Sequence, residues 1–97
     1  MKTFEVVLDC VKDTFLECDL LKPIDRINLN NEFQENFLKS GVQVMFSGNA
    51  TKQNVREVIN TWILPQYRKE KDPFSTWVCN RGVDIMKSRV DRTFKEG

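Results

Sequence analysis

The sequence predicts an α+β fold: a small antiparallel sheet packed by two or three helices, in a single domain over residues 1–97. Three observations predict it. Residues 42–47, VQVMFS, alternate with a period of two, Val42, Val44 and Phe46 on one face and Gln43 and Met45 on the other. Residues 3–20 admit a second pair of alternating runs. Two later segments, 52–64 and 73–95, carry apolar stripes at helical spacing that would cover a sheet.

The first element reads two ways. Phe4, Val6, Leu8 and Cys10 alternate, as do Thr14, Leu16, Cys18 and Leu20, with Lys12-Asp13 as a two-residue turn. The β-branched residues Val6, Val7, Val11 and Thr14 favour this hairpin. Phe4, Val7, Leu8, Val11 and Phe15 instead follow the i, i+3, i+4, i+7 pattern of one helix. If that reading holds, the fold becomes a small all-α bundle. Residues 22–30, KPIDRINLN, read as a loop, because Pro23 biases Lys22 towards extended backbone. A short helix is expected over 32–40, with Asn31 as its cap, Gln34 completing a capping box, Phe33 and Phe37 on one face and Gly41 as its left-handed stop.

After the 42–47 strand, Gly48-Asn49 supplies turn chemistry and Thr51 caps a helix over 52–64. Val55, Val58, Ile59 and Trp62 form its buried stripe, and Pro65 ends or kinks it. Residues 66–72, QYRKEKD, form a charged connector. Asp72 then caps the last helix, with Pro73 at its first position and Cys79, Val83, Met86, Val90 and Phe94 along its apolar stripe. Gly82 lies inside this helix, where it either permits close packing or breaks the helix near its start.

Composition removes several function classes. Histidine is absent, which excludes Ser-His and Cys-His nucleophile pairs and mixed Cys/His zinc sites. The three cysteines, Cys10, Cys18 and Cys79, are too few for an all-cysteine zinc site and show no CxxC spacing. Reduced thiols in the cytoplasm are the simplest reading. The four glycines form neither a Walker loop nor a dinucleotide fingerprint. No cofactor, metal or membrane span is expected, and the chain reads as non-enzymatic. Asp9 and Asp13 would share a helix face as an acid–base or metal pair, but a solvated face is the plainer reading. Cys79 near Arg81 could be a reactive thiol, with a buried structural cysteine as the plainer reading. Asn49-Ala50-Thr51 matches the N-glycosylation pattern but reads as a turn and a cap in a chain with no export signal.

Charge is uneven. Residues 1–64 carry seven Lys/Arg against nine Asp/Glu, and residues 65–97 carry eight against five, a net of +3 in the tail. The basic group there includes Arg68, Lys69, Arg81, Arg89 and Arg92, with Tyr67 beside it and Trp77 as an aromatic anchor just outside the apolar stripe. These seven residues form the candidate binding surface, since aromatics and Arg dominate interface hot spots. Glu70, Asp72, Asp84 and Asp91 are interleaved with them and can pair at helical spacing, so a solvated face is the alternative.

FLKSG at 37–41 through DPFSTWVCNRG at 72–82 resembles the periplasmic domain of phage lysis-inhibition antiholins. Those share a Phe…Ser-Gly start, a Tyr-basic connector, an Asp-Pro, a Cys and an Arg-Gly. This sequence departs from them at Phe74, where their partner cysteine would stand, and shows no export segment; both departures argue against an antiholin role. The functional expectation therefore rests on the residues: a small binding protein, an inhibitor, adaptor or regulator, acting on another protein through a surface. The alternative is a nucleic-acid-binding protein using the basic C-terminal helix.

Overall fold

Helix α1 spans Thr3–Leu16, where the hairpin was expected. The structure, a computed structural model, describes residues 1–95; among these there is no strand, and the sheet of residues 3–20 and 42–47 does not form. The fold is all-α. The helical register buries Thr3, Val6, Val7, Cys10, Val11, Thr14 and Phe15 together. The hairpin register would have turned Val7 and Val11 away from the core. A β-branched residue loses under about 0.7 kcal/mol of helix propensity. Burying one Val returns about 1.5–3 kcal/mol, so burial decides the element.

The 42–47 segment is overturned for a related reason. Gly41 turns left-handed at φ 75°, and Val42–Met45 make a single helical turn, α3. Only Val42 is buried there, while Val44 and Met45 are exposed. The backbone beyond it serves the start of α1, whose first N–H groups have no partner within the helix. Thr3 N–H donates to Gly48 O at 2.9 Å and Phe4 N–H to Phe46 O at 3.2 Å. Ala50 N–H donates to Met1 O at 2.9 Å, and the pairing amounts to one antiparallel bridge between Lys2 and Asn49.

The expected loop at 22–30 is the first half of helix α2, Pro23–Lys39. Lys22 is extended (φ −69°, ψ 153°), as a residue before proline prefers, and Pro23 occupies the first helical position, where its missing N–H costs nothing. Asn31 and Gln34 therefore lie inside the helix rather than at its start. Arg26 closes the α1–α2 corner: its guanidinium donates to Leu21 O at 3.1 Å and Leu16 O at 3.3 Å, satisfying the end of α1.

Two helical rods, each interrupted by a π turn, complete the fold. The first runs through α4 (Lys52–Val58), a π turn (Ile59–Ile63) and α5 (Leu64–Arg68). It continues past Pro65, where an end or kink was expected. Pro65 lacks an N–H and its ring crowds the carbonyl four residues back. The π turn widens the helix just before it, with Leu64 N–H reaching Ile59 O, and the Gln66 side chain donates to Trp62 O at 2.7 Å. The second rod is α6 (Pro73–Trp77), a π turn (Val78–Gly82) and α7 (Val83–Thr93). Thr51 and Asp72 cap the two rods as expected, accepting from Asn54 N–H at 3.1 Å and Ser75 N–H at 3.0 Å. The extra residue of the second π turn moves the buried line to Val78, Gly82, Met86 and Val90 and leaves Cys79 half-buried.

Ion pairs join the rods to one another and to α1. Arg89 of α7 pairs with Asp13 of α1, and Asp91 accepts from Lys52 at 3.1 Å and Arg56 at 2.8 Å across to α4. These partners hold the Asp91 carboxyl below its ordinary value of 3.8, and the hydrogen bonds from Ser75 do the same for Asp72. A carboxylate whose folded pKa is depressed adds stability that is present above its unfolded pKa and is lost as pH falls through the folded value. Urea midpoints should therefore decline between about pH 5 and pH 2. In a chain carrying Asp72→Asn and Asp91→Asn that decline should be shallower, from a lower neutral-pH midpoint; an identical slope would contradict the assignment.

Candidate binding cleft

Helix α2 leans on α1 and α3, and the space between it and α5 stays open. The result is a cleft of about 320 Å³. Its floor is aromatic. Phe15, 1% exposed, meets Phe33, Tyr67 and Phe74 edge-on at centroid distances of 5.8, 6.0 and 5.1 Å. Phe37 extends the cluster from Phe33 at 5.9 Å. Trp62 lines the opposite wall, braced edge-on by Phe46 at 6.1 Å.

The local sequence explains each placement. On α2, Leu29, Phe33 and Phe37 recur at i, i+4 and i+8, with Glu32, Asn36 and Ser40 along the neighbouring rim. On the first rod, Trp62 lies within the π turn and lines the cleft together with Gln66 and Tyr67. Phe74 enters from the start of α6, between Asp72 and the Ser75 whose N–H and hydroxyl the Asp72 cap accepts. Ser40 donates to Phe37 O at 2.7 Å and accepts from Val42 N–H at 3.3 Å, which closes the end of the cleft near α3.

The cleft is suited to holding an apolar group rather than to acid–base chemistry. Among the described residues Glu32 is the one carboxylate in its lining, and no Lys or Arg lines it. Burial pushes the Tyr67 phenol well above its ordinary value, with the negative charges of Glu32 and Asp72 adding to the effect, so it is a neutral donor at physiological pH. Cys10, sealed in the core, is pushed up to about 11 by burial, against a smaller opposing pull from Arg89, and is a protonated thiol. All three cysteines are free. Among the described residues no group of three or more Cys, Asp or Glu side chains is placed to hold a metal ion, and no helix is long and apolar enough to cross a membrane.

Of the seven residues singled out from the sequence, Tyr67 alone lines the cleft. Arg68 and Lys69 are exposed where α5 ends, Arg81 is exposed on the second π turn and Arg92 is exposed on the last turn of α7. Arg89 is half-buried in its pair with Asp13. Trp77 is half-buried and stacks on Phe74 with centroids 6.4 Å apart. Sequence reasoning missed Phe33, Phe37, Trp62 and Phe74 as a site, although the shared face of Phe33 and Phe37 was visible. No protein-family model, no curated protein and no solved structure matches this chain.

Proposed function

We propose that the chain is a non-enzymatic binding protein that engages another protein through the cleft between α2 and α5. One observation carries the reading: six aromatic side chains from four segments line one open cleft. Its volume of about 320 Å³ lies at the lower end of the roughly 300–1,000 Å³ usual for ligand sites. Leaving such a surface open forgoes burial that closing α2 onto α5 would recover, and a partner's apolar side chain restores it. The polar rim of Asn36, Ser40 and Gln66 around an aromatic centre matches the anatomy of protein interfaces. Three free thiols, two of them fully buried, support a reducing compartment such as the cytoplasm.

Photo-crosslinking in the native host tests this. A benzophenone amino acid at Asn36, on the cleft rim, should give a discrete protein adduct, and the same residue at Ser88 on α7 should not. Competition by excess unlabelled chain should remove the adduct, and competition by an excess of the Gln66→Arg variant should not. An adduct from Ser88 only, together with binding lost on Arg89→Glu and Arg92→Glu, would move the site to α7. If the bound material were nucleic acid, its affinity would fall steeply with salt.

A further inference from the structure

Resting on that reading of the cleft, we infer that its occupant is an amphipathic helix whose apolar side chains enter between α2 and α5 and whose adjacent Lys or Arg meets Glu32. The shape of the cleft argues for a helix. Its α2 wall runs through successive turns from Leu29 to Ser40, about 16 Å at 1.5 Å per residue. The facing wall, from Trp62 to Tyr67, is also helical. A groove between two helices, apolar along its length, receives a third through side chains one turn apart.

Charge sets the second requirement. Glu32 is exposed on the rim and makes no ion pair among the described residues, so its carboxylate is available to an occupant of the cleft. Asp72 lies outside the lining, where its carboxylate is occupied by Ser75 at the start of α6, so Glu32 is the charge an occupant meets. Among the described residues Glu32 is the one charged side chain in the lining, so the charge the cleft wall itself presents to an occupant is negative. An acidic partner segment would be repelled there and a basic one attracted.

The test uses the intact chain and two synthetic amphipathic helical peptides. Each carries Leu and Phe one turn apart; one has Lys a further turn on and the other has Glu there. Binding is read by Trp fluorescence and checked by calorimetry. The Lys peptide should bind at least fivefold more tightly than the Glu peptide at low salt, and the ratio should shrink as salt rises. Glu32→Gln should bring the two affinities together, and Glu32→Lys should invert their order, a rescue that loss of folding cannot produce. Equal binding of both peptides to the unsubstituted chain would overturn the charge assignment and leave the cleft reading intact. Binding of neither peptide, with a discrete Asn36 crosslink still formed, would overturn the helical occupant alone; loss of that crosslink as well would remove both.

Discussion

Phe15→Ala should lower the unfolding free energy by about 3–5 kcal/mol, the largest loss expected from any single truncation in this chain. Phe15 is 1% exposed and contacts rings from α2, α5 and α6, so it joins three segments that are far apart in sequence. Its removal forfeits the transfer energy of the ring and leaves a void under the cleft floor. The collapse that would fill such a void is resisted, because Phe33 and Phe74 are held by their own helices. A domain of this size is stable by only about 5–15 kcal/mol, so the loss could approach the whole. Urea unfolding followed by circular dichroism should show the midpoint falling steeply with little change in slope. Phe15→Leu, which keeps most of the volume, should recover more than half of the loss. A Phe15→Ala chain as stable as the original would mean that the cleft floor is not part of the core.

The aromatic cluster also shows why the site was less legible in the sequence than the helices. Thr51, Asp72 and Pro73 mark helix starts through local hydrogen bonding and fixed φ, and these signals act within a few residues. The stripe at 52–64 was legible in Val55, Val58 and Ile59, whereas the π turn at Val78–Gly82 shifted the one at 73–95, of which Met86 and Val90 are buried as expected. The cleft is assembled from residues 15, 29–42, 62–67 and 74, and nothing local announces which Phe faces which. Only the packing of α2 against α1, with α5 left apart, makes a site of them.

The errors share a cause. Period-two alternation in short runs such as 3–10 and 42–47 carries little weight when the same residues also fit a helix. At 3–16 the number of large residues that one helical face could bury decided the outcome. At 42–47 Gly41 set the chain direction, and the backbone of residues 46–50 was drawn to the free N–H groups of α1. Pro23 carried two meanings, extended backbone before it and a favourable helix start at it, and the second gave α2 its first half. The basic tail is a separate matter, since its formal charge of +3 counts side chains that are held by ion pairs as well as free ones. Of the tail's cations Arg89 is held by Asp13 of α1, so part of that charge is engaged in holding helices together.

Gly82 is the position where a single added methyl group should matter. By propensity alone, Gly82→Ala would stabilise a helix by about 1 kcal/mol. Gly82 is buried in the second π turn, and a Cβ there would lie 3.2 Å from Thr14 Cγ2 and 3.3 Å from Trp77 Cζ3. Neither neighbour is free to retreat. Thr14 is fully buried and its rotamer is fixed by a 2.7 Å hydrogen bond from Oγ1 to Cys10 O, and Trp77 is stacked on Phe74. Overpacking of this kind costs about 1–3 kcal/mol, more than the propensity gain. Gly82→Ala should therefore destabilise by about 1 kcal/mol and Gly82→Leu by about 3 kcal/mol, measured by urea unfolding. Thr14→Ser removes the Cγ2 and keeps the hydroxyl, so it should restore part of the Gly82→Ala loss in the double variant, the contact with Trp77 Cζ3 remaining. A Gly82→Ala chain more stable than the original would show that α1 and the second rod can separate without cost, and that the glycine is not required for their close approach.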